Sequence, residues 1–300
     1  MMKNISPDSD KFLVKFMSIE WATRFVKDCC FYCSDVRNFS DTGEFCIEPS
    51  NCVDKKGELR KFFKSNAFVD FLKSLDSSIS KKQCKLLSKE AWDDDFDNLI
   101  GTICEKTKKN LTDNFLVTSF TSEQNLFNPF MWKQYAGSFL GIAFKFVNDR
   151  SFFSTQQKII YSDSGIQFSL ISLIQDLLLI QNDNEQYGAA LKKLCTSVMF
   201  RKNKSFSIEQ EVRLISDSPK REHKHFIKLK QGILKEIYVS SMLFENKTDE
   251  FSQFITCFLS NPIFDEVKIF KVIFSNNSFE RINEVSRNDL KKGNNSEWEH

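Results

Sequence analysis

The sequence predicts an α+β fold, and three observations lead to this class. Helical spacing of apolar residues dominates the second fifth of the chain, whereas strand-like alternation dominates its second half. The strands do not alternate regularly with helices, which argues against a doubly wound parallel sheet. Apolar residues make up 41% of the 300 residues, with only 9 Gly and 5 Pro, so the chain can bury a sizeable core.

The first predicted elements are short. Alternation predicts a strand over 12–17, and Ser18 can cap a helix over 19–27. A second short strand over 29–34 and a loop over 35–53 follow. Helical spacing then predicts helices over 59–75 and 81–106, which together form a helical insertion at about residues 55–110.

The second half of the chain predicts a series of short strands with two helices between them. The strands cover 115–120, 141–147, 157–161, 208–215, 227–229, 237–239 and 267–274, and the helices cover 166–179 and 185–200. No repeat and no Pro- or Gly-rich linker interrupts this pattern, so we expect one domain over residues 1–283. Residues 284–300 are polar, and this composition predicts a disordered tail.

Composition sets the expected compartment. The net charge is +2, so no global field draws the chain to nucleic acid or to a membrane. The 9 Cys are odd in number and no signal peptide opens the sequence, which predicts free thiols in a reducing cytoplasm. The longest apolar stretch, 168–180, is too short to span a bilayer, and the 32 Phe predict a core rich in rings.

Two carboxylates stand close together in the sequence IEQEVRLI at 208–215. On a strand, Glu209, Glu211 and Arg213 share one face, while Ile208, Val212 and Leu214 face the core. A carboxylate pair next to a cation can accept a proton and stabilise a cationic transition state. The alternative is a half-exposed strand whose charges are solvated.

Hydroxyl and aromatic side chains follow one another between residues 117 and 146. Ser119 and Thr121 share a strand face, and a short helix then places Trp132 near Tyr135. Hydroxyl groups beside aromatic rings suit a site that stacks a flat ring and hydrogen-bonds a sugar or an amide. The alternative is an edge strand with a Trp/Tyr pair facing the core.

Other motifs give weaker signals. Cys30 and Cys33 have zinc-knuckle spacing, which Cys46 and Cys52 could complete, but a strand would point the first two thiols to opposite faces, so we predict no metal. The stretch KREHKHF at 220–226 is a basic patch that either contacts phosphate or is a solvated face. Walker, GxGxxG and HExxH motifs are absent from the sequence.

Four of these segments, taken in order, resemble the DUF2971 family. They are SFTS at 119–122, MWKQYA at 131–136, GIAFKF at 141–146 and EQEVR at 209–213, with weaker similarity at 14–16, 39–44 and 227–240. The resemblance covers most of the chain, from about residue 12 to residue 274. The family is grouped with ADP-ribosyltransferase-like folds and includes bacterial toxin and phage-defence proteins.

The resemblance implies an ADP-ribosyltransferase-like core of two packed β-sheets with an NAD cleft, and an NAD-dependent mono-ADP-ribosyltransferase that releases nicotinamide. By this resemblance Glu211 contacts the nicotinamide ribose and Glu209 orients the acceptor. The residues assigned to NAD binding are Lys15 on the adenosine side, Ser119, Thr121, Trp132 and Tyr135 around the nicotinamide, and Arg213.

The acceptor expected from the resemblance is a macromolecule, either RNA or protein, and the basic stretch 220–230 favours nucleic acid. A toxin of this kind implies an antitoxin or chaperone as a neutralising partner. The alternatives are an NAD glycohydrolase, in which water is the acceptor, and a non-enzymatic module that binds nucleic acid or protein.

Overall fold

The computed structural model describes residues 11–35, 50, 52–75, 78, 80–83, 101, 105, 115–153, 156–163, 167, 169–172, 175, 199–217, 226–275 and 278–291. The chain divides into two compact units. The first contains residues 1–34, 116–158 and 208–300, and the second contains 35–115 and 159–207. This division leaves the prediction of one domain over 1–283 untested. Every candidate site residue lies in the first unit.

A nine-stranded mixed sheet is the framework of the first unit, with the order β13-β12-β11-β5-β1-β4-β9-β6 and β3 paired to β4. Its strands are β1 (Phe12–Ser18), β3 (Ser34–Asp35), β4 (Phe115–Ser122), β5 (Gly141–Val147), β6 (Gln156–Lys158), β9 (Glu211–Asp217), β11 (Leu234–Ser240), β12 (Lys268–Ser275) and β13 (Ser278–Val285). Strands β11 and β12 are parallel, while β5 is antiparallel to both β1 and β11. A separate two-stranded ribbon joins β2 (Cys30–Tyr32) to β10 (Phe226–Lys228).

Helices cover both faces of this sheet. On one face, α1 (Ile19–Asp28) and α6 (Thr248–Leu259) pack against alternate strand residues, and this first core is rich in phenylalanine. On the other face, α4 (Pro129–Tyr135) packs against the remaining residues and forms a second core. Helices α5 (Ser241–Asn246) and α7 (Arg287–Lys291) complete the unit. The ring-rich core expected from the composition is confirmed.

The second unit contains α2 (Lys56–Phe63), α3 (Asn66–Leu75) and a parallel pair made of β7 (Ile160–Ser162) and β8 (Arg201–Asn203). One helix was predicted over 59–75, but the structure has two. The reason is Ser65, whose hydroxyl accepts a hydrogen bond from the Phe68 N–H at 3.3 Å and so begins a new helix.

The mixed α and β class is confirmed. Nine strands form one large mixed sheet, with β2 and β10 in a separate ribbon, and the core of two packed sheets around an NAD cleft stays a prediction. Two other predictions need correction. The strand predicted over 208–215 begins only at Glu211. The tail predicted from residue 284 starts too early, because β13 runs to Val285 and α7 follows it. The predicted helices over 81–106, 166–179 and 185–200 and the loop over 35–53 lie almost wholly outside the described residues.

A left-handed turn connects α4 to β5. Gly137, Ser138 and Phe139 have φ angles of +58°, +56° and +73°, a run that non-glycine residues rarely adopt. The amides of Ser138 and Phe139 donate to the carbonyls of Lys133 and Trp132, both at 3.2 Å, which ends the helix. The chain then enters β5 at Gly141.

We expect Gly141→Ala to destabilise the first unit. A Cβ at this position would lie 2.4 Å from the Met17 carbonyl oxygen and 2.5 Å from that of Ala136, and neither backbone atom can move cheaply. The cost should be about 1 to 3 kcal/mol or more, as for other overpacked sites. Urea denaturation followed by circular dichroism measures it. Gly57→Ala is the control, since nothing lies within 4 Å of its Cβ position; equal stability of the two variants would contradict this account.

Candidate active site

A buried ion pair on β9 is at the centre of the candidate site. The Arg213 guanidinium donates from Nε to Oε1 of Glu211 at 2.6 Å and from Nη2 to Oε2 at 3.0 Å. Arg213 is fully buried and Glu211 nearly so. Val212 and Leu214 belong to the first core, so the two charged residues lie on the opposite face of the sheet. The predicted cation–carboxylate pairing and the inward direction of Val212 and Leu214 are confirmed.

Strand β4 supplies a hydroxyl group to the same carboxylate. The Ser119 Oγ donates to Glu211 Oε1 at 2.6 Å. Phe120 lies in the first core, so its neighbours Ser119 and Thr121 share the face of Glu211. The structure therefore brings together Ser119, Glu211 and Arg213.

Lys15 lies on the other face of the sheet. It is two residues from both Leu13 and Met17, which belong to the first core, and its Nζ lies 5.2 Å from the centre of the Phe120 ring. Its ammonium group nonetheless reaches the Ser119 carbonyl oxygen at 2.8 Å. Lys15 thus holds the backbone of β4 from the face opposite to the Glu211 side chain.

Glu209 does not lie on the strand with Glu211. It ends the 3-10 segment Lys204–Glu209, and Gln210 follows with a left-handed φ of +44° before β9 begins. This kink removes the alternation that predicted a common face for Glu209, Glu211 and Arg213, and it leaves Ile208 47% exposed instead of in the core. The Glu209 carboxylate, nearly fully buried, accepts a hydrogen bond from the Tyr135 hydroxyl at 2.6 Å.

The main chain of Glu209 is held by side chains from the β4 end. Thr121 donates its hydroxyl to the Glu209 carbonyl, and the Asn125 amide donates to the same oxygen at 2.9 Å. Thr121 therefore fixes the main chain at Glu209. Asn125 was missed by the sequence analysis, because a lone Asn in a loop carries no sequence signal. Asn128 was also missed, although Asn-Pro at 128–129 is a recognisable helix start.

Trp132 is a core residue in the structure. It is fully buried, its indole N–H donates to the Leu126 carbonyl at 2.7 Å, and its ring stacks on Phe279 at 4.6 Å. A ring packed in this way has no face to offer a nicotinamide. Tyr135 is 42% exposed, so it is the aromatic side chain of this helix that a ligand can reach.

The described part of the chain contains no cluster of potential metal ligands. No group of three or more His, Cys, Asp or Glu residues there has the spacing to hold an ion, and Cys46 lies outside it. Cys29, Cys30, Cys33, Cys52 and Cys257 carry free thiols. The basic residues 220–225 also fall outside the described residues. No helix among the described residues combines the length and apolar character needed to cross a bilayer.

The residues present fit NAD in part. A sugar hydroxyl is the same kind of donor as the Ser119 hydroxyl, so the Glu211 carboxylate can accept one at the same position. Tyr135 offers an exposed ring and a hydroxyl beside Glu209. Trp132 and Arg213 do not fit direct contact, because both are fully buried; Arg213 instead fixes the Glu211 carboxylate.

The position of Lys15 predicts a pH dependence of stability. Burial lowers the pKa of Lys15 from 10.5 to about 8, although the charges of Cys33 and Glu211 oppose this shift. Between pH 8 and 10.5 the unfolded chain therefore binds this proton more tightly than the folded chain, so the Lys15 contribution to stability rises with pH.

From pH 7 to pH 9 we expect wild type to gain about 1 kcal/mol of unfolding free energy relative to Lys15→Met, at 1.36 kcal/mol for each pKa unit. Urea titrations at both pH values measure the difference. The comparison is repeated on a Cys33→Ala background, since burial raises the pKa of the Cys33 thiol to about 11 and its titration opposes the effect at higher pH. A difference that stays constant over this range would contradict the expectation.

Part of the chain matches a protein-family model. Residues 131–214 match the model of the DUF2971 family, which is described as a protein of unknown function. The matched segment begins at Met131 in α4 and ends at Leu214 in β9, so it includes Tyr135, Glu209 and Glu211. No curated protein and no solved structure matches the chain. The match supports the resemblance to DUF2971 that the MWxxYA and ExExR motifs indicated, over residues 131–214.

Proposed function

We propose that this protein is an NAD-dependent mono-ADP-ribosyltransferase whose catalytic centre is formed by Glu211 and Glu209. One observation carries the proposal. The Glu211 carboxylate is fixed by two hydrogen bonds from Arg213 and accepts a third from the Ser119 hydroxyl. A second carboxylate, that of Glu209, is two residues away in the sequence. Positioned carboxylates of this kind are what cleavage of a glycosidic bond requires.

The proposed reaction breaks one bond and forms one. The bond between nicotinamide nitrogen and ribose C1′ breaks, and its electron pair leaves with nicotinamide, which becomes neutral. A bond forms between C1′ and a nucleophilic atom of the acceptor, and the acceptor proton goes to a base. The step needs no oxidant or reductant, and the chain must supply only charge stabilisation and the base.

Glu211 is assigned to charge stabilisation. Positive charge develops on the ribose as the bond to nicotinamide breaks, and a fixed carboxylate that accepts a ribose hydroxyl stabilises that charge most when it is largest. The bidentate contact with Arg213 holds the carboxylate in place, so little reorganisation is needed during the reaction. The bond from Ser119 shows that this carboxylate accepts a hydroxyl donor, which is the kind of contact proposed for the ribose.

Glu209 is assigned to the acceptor. Its carboxylate accepts a hydrogen bond from Tyr135, the exposed member of the group, so a substrate in contact with Tyr135 lies next to Glu209. A carboxylate within hydrogen-bond reach of the attacking atom can take its proton. We propose a macromolecular acceptor, RNA or protein, and a role as a toxin or defence effector with a neutralising partner; these points rest on the family resemblance.

A structural role is the second candidate. Arg213 has no exposed surface, and its two bonds to Glu211 compensate its charge inside the protein. The same contacts would be needed in a non-enzymatic binding module whose sheet requires this pair. The two candidates differ in what they predict for NAD.

Glu211→Asp is expected to lower nicotinamide release from NAD at least about 100-fold, the typical loss when an electrostatic contact to the transition state is removed. The shorter side chain keeps the charge that Arg213 needs but withdraws the carboxylate from the ribose. Glu284→Asp is the control, because Glu284 is in an exposed pair with Lys268. NAD labelled in the nicotinamide ring measures release, and circular dichroism checks folding.

The molecule that carries the label after the reaction distinguishes the possible acceptors. Wild type is incubated with a cell lysate and NAD labelled in the adenine ring, and the product is treated with RNase or protease. Label that RNase removes indicates an RNA acceptor, label that protease removes indicates a protein, and ADP-ribose alone indicates a glycohydrolase. Full activity of Glu211→Asp would show that Glu211 is not catalytic, and an inability of wild type to bind or cleave NAD would favour the binding module.

Glu209→Gln is expected to reduce transfer more than hydrolysis, by about 100-fold against less than about 10-fold, because the amide cannot take the acceptor proton whereas bulk solvent can take that of water. Tyr135→Phe removes the hydrogen bond but keeps the carboxylate, so it should give a smaller change in the same direction. Both products are quantified from one labelled NAD pool. Equal losses in transfer and hydrolysis would assign Glu209 to NAD binding instead.

A further inference from the structure

Asn125 is a buried amide at a junction of the candidate site. The two N–H bonds of its Nδ2 are shared among three acceptors: the Thr121 hydroxyl at 2.9 Å, the Ile208 carbonyl at 2.8 Å and the Glu209 carbonyl at 2.9 Å. The last two contacts join segments that are 83 and 84 residues apart in the sequence. Asn125 therefore ties the main chain on both sides of the Ile208–Glu209 peptide to the end of β4.

The left-handed residue after Glu209 explains why side chains are needed here. Gln210, with φ at +44°, separates Glu209 from the strand that starts at Glu211. A carbonyl next to such a kink needs partners other than a regular ladder. The Glu209 carbonyl instead accepts from Asn125 and from Thr121. Its position is thus set by two side chains of the β4 end.

Asn125 also reaches the side chain of Glu209 by a second route. Its Oδ1 accepts from Asn128 Nδ2 at 3.1 Å, and Asn128 Oδ1 caps α4 by accepting from the Phe130 N–H at 3.0 Å. Helix α4 carries Tyr135, whose hydroxyl donates to the Glu209 carboxylate. These hydrogen bonds, together with helix α4, form a network, here called the Asn125 network, that connects the Glu209 main chain to the Glu209 side chain.

Glu211 is held by a different set of residues. Its carboxylate bonds to Ser119 on β4 and to Arg213 on its own strand, whereas the Asn125 amide bonds to Thr121 and to the main chain of residues 208–209. A change at Asn125 should therefore displace one carboxylate of the pair and leave the other in place.

We infer that Asn125 is a positioning residue that sets the Glu209 carboxylate against the acceptor, an inference that rests on the proposed transferase function. Asn125 touches neither substrate in this account; it acts through the Glu209 main chain and through α4. It determines how the reaction divides between transfer to a macromolecule and hydrolysis, whereas Ser119 and Arg213 determine cleavage of NAD.

Asn125→Asp tests this inference. The substitution keeps the shape of the side chain but puts an oxygen where the Nδ2 of Asn125 was. The Thr121 hydroxyl and the two carbonyls then lose their amide donor. We expect the ratio of transfer to hydrolysis to fall at least tenfold, while the KM for NAD in the hydrolysis reaction changes less than twofold. A folded Asn125→Asp with the wild-type ratio would overturn the inference.

Asn261→Asp is the matched control. Asn261 also caps a turn, accepting from the Ile263 N–H at 3.2 Å, and its Nδ2 donates to the Cys29 Sγ at 2.7 Å, so the same substitution removes one donor elsewhere in the first unit. A purely structural effect would lower the folded fraction and scale both reactions equally. If Asn261→Asp changes the ratio as strongly as Asn125→Asp, the inference fails.

A second readout does not depend on turnover. The chain has 5 Tyr, so 3-fluorotyrosine labelling gives five ¹⁹F signals, and Tyr135→Phe assigns that of Tyr135. Asn125→Asp should shift the Tyr135 signal and Asn261→Asp should not. If wild type fails to cleave NAD, the proposed function fails while this shift still supports the positioning role. An unmoved Tyr135 signal in Asn125→Asp would overturn that role whatever the turnover.

Discussion

The buried ion pair between Arg213 and Glu211 is the interaction on which the arrangement of the site depends. A guanidinium without exposed surface costs several kcal/mol unless its geometry and hydrogen bonds compensate the lost hydration. The two parallel contacts to Glu211 and the Ser119 hydroxyl provide this compensation. Because Ser119 is on β4 and the ion pair is on β9, the carboxylate that neutralises Arg213 also links the side chains of the two strands.

The two carboxylates of the site are placed by different kinds of force. Glu211 is held by the charge of Arg213 on its own strand and by a hydroxyl group of the neighbouring strand. Glu209 is held by neutral hydrogen bonds from a threonine hydroxyl, an asparagine amide and a tyrosine phenol. In the proposed reaction the two carboxylates accordingly take different roles, Glu211 stabilising charge and Glu209 accepting a proton. The kink at Gln210 creates the difference, because it takes Glu209 off the strand.

Strong periodic patterns were predictable from the sequence, and backbone exceptions were not. Alternation located β1 and β5, and it placed Glu211 and Arg213 on one face of their strand, but the pairing of β4 with β9 that brings Ser119 to them did not follow from alternation. The sequence analysis missed α6, although Phe251, Phe254, Ile255 and Phe258 have helical spacing. The left-handed Gln210 could not be foreseen, since Gln has no preference for that conformation, and the partners of Asn125 depend on contacts across more than 80 residues.

The separation of β4 and β9 along the chain has a consequence for synthesis. Ser119 and Glu211 are 92 residues apart, and residues 159–207 between them belong to the second unit. At about 5 to 20 residues per second, a ribosome needs roughly 5 to 20 s to add the partner of β4. During that interval the edge of β4 that β9 will cover lacks this strand, and an uncovered edge can pair with other chains. The candidate site therefore comes into being late in translation, and the nascent chain passes through a period in which it needs protection from aggregation.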